Sequence, residues 1–165
     1  MSVEIRAVVI TVSDRCTRGE QEDKSGPLLV ELLSAAGAKI LAREILSDDL
    51  SPLAEKLRAY AERPDINLIV TTGGTGFAPR DNTPEATRAV LEREAPGLAE
   101  AMRSETLRET PMAMISRAVC GIRSGALIIN LPGSPAAVSA CFAVVKPVLA
   151  HAIALLGGQP HAEAG

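Results

Sequence analysis

Leu68-Ile-Val-Thr-Thr-Gly-Gly-Thr-Gly76 carries three apolar residues into two threonines and a glycine-rich loop. Pro79-Arg80-Asp81 follow, and Thr83-Pro84-Glu85 reads as a helix start with Thr83 as its cap. This strand–loop–helix order sets backbone N–H groups at the positive end of a helix, where an anionic group binds. Asp81 shares the loop. Phosphate-binding amides beside a carboxylate point to a nucleotide held with a divalent cation.

The same alternation extends in both directions. Upstream, Ile5-Arg-Ala-Val-Val-Ile-Thr-Val12 is a β-branched apolar run that predicts a strand buried on both faces. Pro27 then opens a helix whose face is Leu28, Leu29, Leu32, Leu33 and Ala36, with Gly37 as its stop. Residues 38–45 predict a second strand, weakened by Lys39, Arg43 and Glu44. A second helix starts at Pro52, uses Leu53, Leu57 and Tyr60, and closes at Pro64. Downstream, residues 84–94 and 97–108 read as helices, the latter with Leu98, Met102 and Leu107 inward. Ala126-Leu-Ile-Ile-Asn-Leu131 is another buried strand, and a last helix covers residues 135–156, kinked or split at Pro147. The order predicts a three-layer, doubly wound α/β fold, a mostly parallel sheet with helices on both faces. One domain is expected over residues 1–156, with a flexible tail over 157–165.

In such folds ligands collect at the carboxyl ends of strands. Four loops lie there: Ser13-Asp14, Asp48-Asp49, the stretch from Thr71 to Asp81, and Pro132-Gly133-Ser134. Gly73-Gly74-Thr75-Gly76 has no Gly-Lys-Ser/Thr of a P-loop, and Pro79 breaks the G-x-G-x-x-G spacing. Alone it is equally a tight turn that needs positive φ. Asp81 and either Asp48 or Asp49 are the candidate metal carboxylates, and spacing does not choose between the last two. The competing readings are a helix cap for Asp48 and a loop aspartate bonding its own backbone for Asp81. Ser13-Asp14 reads equally as a turn closing the first strand, and Pro132 to Pro135 as a stiff turn. Ser116-Arg117 and Arg123 read as solvated charge.

Composition excludes several classes. Aromatic residues are 2% of the chain and the net charge is −3, so base-stacking platforms and a basic stripe are both missing and nucleic acid is not an expected partner. Three cysteines, an odd number without CxxC spacing, indicate a reducing compartment. Glu4 and Arg6 sit where a signal peptide would be apolar, and no apolar run reaches the ~18 residues of a membrane span. A cytoplasmic protein is expected. The two histidines, His151 on a helical stretch and His161 in the tail, offer no placed imidazole for Ser–His or Cys–His chemistry. Catalysis would then use carboxylates, cations, backbone or a metal.

The fragments Thr11-Val-Ser-Asp-Arg15, Asp23-Lys-Ser-Gly26, Thr71-Thr-Gly-Gly-Thr-Gly-Phe-Ala-Pro-Arg-Asp81, Thr83-Pro-Glu-Ala-Thr87, Glu94-Ala-Pro-Gly97, Ser116-Arg117, Cys120-Gly-Ile-Arg123 and Leu127-Ile-Ile-Asn-Leu-Pro-Gly133 occur in this order. Together they resemble the molybdopterin adenylyltransferase family of molybdenum cofactor biosynthesis, and the related G domain of gephyrin. The resemblance spans nearly the whole chain. It implies a homotrimer that transfers AMP from Mg-ATP to the terminal phosphate of molybdopterin and releases pyrophosphate. It also implies association with other molybdenum cofactor biosynthesis proteins.

By this resemblance the catalytic, Mg²⁺-binding aspartates are Asp48 and Asp81, which selects Asp48 over Asp49. The nucleotide loop is Thr72, Gly73, Gly74, Thr75 and Gly76, and the other ligand loops are Ser13-Asp14 and Pro132-Gly133-Ser134. Three positions depart from the common pattern: Ser47 for proline, Asn82 for valine, and Ser134 for Asn or Gln. A non-catalytic pterin-binding or self-associating module of the same fold is the alternative. A dinucleotide oxidoreductase is a third reading, which the glycine spacing opposes.

Overall fold

The computed structural model describes residues 3–159; the expectations for His161 and for the tail beyond residue 159 lie outside these. The strands are β1 (Arg6–Val12), β2 (Lys39–Leu46), β3 (Leu68–Thr72), β4 (Arg93–Glu94), β5 (Cys120–Arg123) and β6 (Ala126–Leu131). The helices are α1 (Asp14–Thr17), α2 (Ser25–Ala35), α3 (Leu50–Ala61), α4 (Thr83–Val90), α5 (Pro96–Leu107) and α6 (Pro135–Leu156), with a 3₁₀ turn at Pro111–Ile115.

All six strands form one sheet in the order β2-β1-β3-β6-β5-β4. The pairs β1–β2, β1–β3 and β3–β6 are parallel, and β5 and β4 add an antiparallel edge. This is the expected α/β architecture. Apolar side chains alternate between two cores. Val9, Leu68, Val70 and Ile129 pack with Leu29, Leu33, Met102, Phe142 and Leu149 of α2, α5 and α6. Val8, Ile10, Ile69 and Ile128 pack with Leu53, Leu57, Ala86 and Val90 of α3 and α4. β3 and β6 are buried along their whole length because both faces are covered. β2 is only half-buried because it forms an edge, which explains its interrupting charges.

Several sequence expectations need correction. The helix expected over residues 84–94 ends at Val90: Leu91 is extended at ψ 135°, and Arg93–Glu94 pair with β5 instead. β5 itself was not anticipated. Its four residues include Gly121, a residue disfavoured in strands, so no apolar run announced it. Thr83 is the first helical residue rather than the cap, and its hydroxyl donates to Gly73 O at 2.9 Å. Leu107 is exposed instead of inward.

α6 runs unsplit through Pro147. Ala143, whose carbonyl the missing proline N–H would have met, and Pro147 are both on the exposed side, so the lost bond stays near solvent. α6 also corrects the reading that no apolar run has membrane-spanning length: an 18-residue stretch of this 22-residue helix has a mean hydropathy of 1.9, and the helix passes by length and composition. The cause is a core helix, with Val138, Phe142, Val145, Leu149 and Ile153 buried at helical spacing against the sheet and α2 and α5.

The chain leaves β1 toward β2 on one side and crosses back to β3 on the other. The two strands flanking this reversal open a crevice at their carboxyl ends, and all the loops singled out in the sequence lie along it.

Candidate active site

The glycine loop is shaped by its neighbours. Gly73 has φ +99° and Gly74 φ +69°, a region that favours glycine. A Cβ on Gly73 would collide with Val12 O, and one on Gly133 would stand 3.2 Å from Gly73 Cα. The ends of β1, β3 and β6 are therefore in backbone contact, which only glycines allow. Gly73 N donates to Leu131 O at 3.1 Å, so its amide belongs to the sheet and is not available to a ligand. The amides of Gly74, Thr75 and Gly76 have no protein acceptor among the described residues. Thr72 is buried, and its hydroxyl donates to Pro132 O at 2.7 Å, tying the two strand-end loops together. Ser25 Oγ donates to Gly133 O at 2.6 Å from α2.

Asp48 and Asp14 are bonded to each other's backbone. Asp14 N donates to Asp48 Oδ2 at 2.9 Å, and Asp48 N to Asp14 Oδ1 at 3.0 Å. Asp48 is 9% exposed. Its other oxygen faces the glycine loop: a Cβ on Gly74 would stand 3.0 Å from Asp48 Oδ1. Burial raises its pKa, and the charges of Asp14 and Asp81 add to the rise against the bond from Asp14 N. Asp49, not Asp48, holds the N-cap position of α3, and its carboxylate accepts from Arg80 at 2.9 Å. Arg80 also grips Asp14 with two bonds of 2.8 and 3.0 Å. That fork holds the Asp14 carboxyl down at about 2.

Asp81 accepts from Ala78 N at 2.9 Å, so the self-bonded loop aspartate foreseen in the sequence is present. Its Oδ2 also lies 2.9 Å from where a Gly76 Cβ would stand. Asn82, at a position the family usually fills with valine, donates to Asp48 O at 3.0 Å and joins the two aspartate loops. Ser13 and Ser134 act locally as caps, accepting from Cys16 N at 3.1 Å and Ala137 N at 3.2 Å.

Two cavities open on this rim. One of about 700 Å³ is polar and is lined by Ser13, Asp14, Asp48, Thr72, Gly73 and Arg80. The other, about 790 Å³, is mostly apolar and runs between α5, the 3₁₀ turn and the start of α6; Thr75, Gly76, Pro132 and Ser134 line it. Gly74, Asp81 and Gly133 line both. The cavities thus divide the sequence-predicted residues and meet at three of them. Each is of a size that takes a whole small ligand.

Sequence reasoning passed over Arg80 and Arg117. Arg80 stood in the Pro79-Arg80-Asp81 fragment without a role. Arg117 was read as solvated, yet its side chain bonds Gly76 O and Asp81 O, each at 2.8 Å. No spacing rule links residue 117 to residue 76.

Fold and site together define an α/β protein with two ligand-sized cavities at the carboxyl rim of a parallel sheet, lined by main-chain donors and carboxylates. The family model described as "Probable molybdopterin binding domain" matches residues 8–151, and the chain belongs to that family. Molybdenum cofactor synthesis protein cinnamon of Drosophila melanogaster is 43% identical over 150 residues, 90% of this chain and 25% of its own length. A molybdopterin adenylyltransferase of Helicobacter pylori (strain J99) is 40% identical over 153 residues, 92% of this chain and 87% of its own. The crystal structure of the molybdopterin biosynthesis enzyme MoaB from Thermus thermophilus superposes with a TM-score of 0.88 at 47% identity, covering 94% of this chain and 98% of that one.

Proposed function

We propose that this protein is a molybdopterin adenylyltransferase: it transfers AMP from ATP to the terminal phosphate of molybdopterin and releases pyrophosphate. The observation that carries this reading is the pair of cavities meeting at Gly74, Asp81 and Gly133. A transfer between two bulky substrates needs two adjoining sites, and this rim supplies them in a family whose Helicobacter relative bears that name. Holding both reactants replaces a bimolecular encounter, which is a large part of the barrier.

The residues fit a magnesium ion. Asp48 Oδ1 and Asp81 Oδ2 are hard oxygen donors at the glycine loop, each close to a place where a Cβ would stand. Mg²⁺ commonly takes one or two carboxylates plus substrate phosphate, which this pair would supply. Asp48 and Asp81 would hold it. When bound, Mg²⁺ neutralises phosphate charge.

The chain's own groups do the rest. The acceptor is already an anion, so no strong general base is required. The amides of Gly74, Thr75 and Gly76 are preorganised donors for phosphate oxygens as charge shifts during transfer. Arg80, held by Asp14 and Asp49, brings a cation to the mouth of the polar cavity. Ser13, Asp14, Thr72, Gly73, Pro132, Gly133 and Ser134 shape the two cavities.

We further read residues 1–156 as one functional domain, supported by the single sheet. We read the protein as a cytoplasmic homotrimer, in contact with other molybdenum cofactor biosynthesis proteins. Exposed Phe77, Met112, Met114 and Val148 are apolar surface that self-association would cover. Sedimentation as a monomer at micromolar concentration would contradict the trimer.

The reaction is tested by incubating the protein with molybdopterin and Mg-ATP and measuring pyrophosphate. Stoichiometric release with formation of adenylylated pterin is expected. Tight pterin binding with no release would instead support a binding module of the same fold.

A further inference from the structure

Arg117 follows the 3₁₀ turn and precedes β5, far in sequence from the glycine loop. Three contacts return it to that loop and a fourth reaches the helix that follows. Its backbone N donates to Thr75 O at 2.8 Å, Nε to Gly76 O at 2.8 Å and Nη2 to Asp81 O at 2.8 Å, while Nη1 pairs with Glu85 in the first turn of α4. The pairing lowers the Glu85 pKa. One planar group thus holds the chain on both sides of the 77–80 excursion. Arg117 is in turn held from behind, because Arg103 on α5 donates to Ala118 O at 2.9 Å.

The loop needs such a brace. It leaves β3 through two positive-φ glycines. The Ala78–Asp81 pair, Thr83 N to Gly74 O at 3.1 Å, Thr83 Oγ1 to Gly73 O, Asn82 to Asp48 O and Arg80 to Asp14 and Asp49 tie it elsewhere, but none of them joins Gly76 to Asp81. The free amides lie before the excursion and Asp81 lies after it. Their separation decides whether one phosphate can meet both. A guanidinium fixes that separation with rigid, divergent donors; an ammonium of equal charge has no fork.

We propose that Arg117 is a positioning residue of the adenylyl transfer, holding the Gly74–Gly76 amides and the Asp81 carboxylate in register. Its kinetic consequence rests on the adenylyltransferase reading. Arg117 lines neither cavity, and its side chain bonds Gly76 O, Asp81 O and Glu85, so it acts through the loop.

The test compares wild type with Arg117→Lys, and with Arg117→Ala assayed with and without added guanidinium. Arg117→Lys should fold, lose about 10²-fold in kcat, as an ~1 Å misplacement does, and change KM for ATP by no more than about threefold. Guanidinium should restore part of the Arg117→Ala rate. Hydrogen exchange at the Ala78 and Asp81 amides should quicken in both variants, with the β3 amides unchanged. A folded Arg117→Lys with kcat within twofold of wild type overturns the proposal. Should wild type itself release no pyrophosphate, the reaction assignment falls separately. Loop exchange then decides on Arg117 alone, and unchanged Ala78 and Asp81 amides overturn its role.

Discussion

Asp14 and Asp48 each donate a backbone amide to the other's carboxylate, at 2.9 and 3.0 Å, and so lock the carboxyl ends of β1 and β2 together. The lock uses one oxygen of Asp48 and leaves Oδ1 toward Gly74. The two carboxyls are pushed in opposite directions: the Arg80 fork lowers Asp14, while burial raises Asp48.

Asp48→Asn should therefore raise the melting temperature at neutral pH while abolishing turnover. The folded-state pKa of Asp48 lies above its unfolded value, so its contribution to stability is greatest when protonated and is lost as pH rises through the folded pKa. Asparagine removes the buried charge. The gain should shrink on acidification, where wild-type Asp48 is itself neutral. Melting curves of both proteins from pH 4 to 8 check the sign.

Asp81→Asn keeps the oxygen that accepts from Ala78 N and loses the charge. The variant should fold normally and lose on the order of 10²-fold in rate, comparable to removal of an electrostatic stabiliser. Near-wild-type pyrophosphate release by a pure sample would remove Asp81 from the chemistry.

Gly73→Ala and Gly125→Ala both place alanine at positive φ, +99° and +81°. A Gly73 Cβ meets the Val12 carbonyl, whereas a Gly125 Cβ meets nothing within 4 Å. Gly125→Ala should cost about 1–2 kcal/mol, the backbone strain alone. Gly73→Ala should cost more, since a backbone atom must move. Denaturant titrations showing equal losses would contradict the strand-end contact.

Asn130 sits at 0% exposure beneath the loop, accepting from Val119 N at 3.1 Å and donating to Thr71 Oγ1 and Thr87 Oγ1 at 3.0 Å each. Asn130→Leu removes these partners, at about 1–3 kcal/mol for each buried group left unsatisfied. Urea unfolding with unchanged midpoint would show that the network contributes nothing.

The parallel centre of the sheet was legible because β1, β3 and β6 are buried on both faces and so read as unbroken apolar runs. β4 and β5 were not legible: four residues with a central glycine, and two charged ones, hold their place by pairing with β6 and with each other rather than by pattern. Asp81, the glycines and the pair Asp48-Asp49 could be singled out because loops at strand ends are where such folds place ligands, while the choice of Asp48 over Asp49 came from the family resemblance alone. Arg117 escaped because its partners are mostly carbonyl oxygens, which every residue has and no sequence pattern marks. Gly73 was placed in the nucleotide loop, and nothing local reveals that Leu131, 58 positions on, claims its amide.

The common wall at Gly74, Asp81 and Gly133 has a practical corollary. A compound with one arm for each cavity would bind as a bivalent ligand, its second arm arriving at the effective concentration set by the linker. For a short tether that concentration is on the order of millimolar. Two weak fragments, joined by a linker only long enough to pass the glycine edge, would thus gain avidity without a new contact.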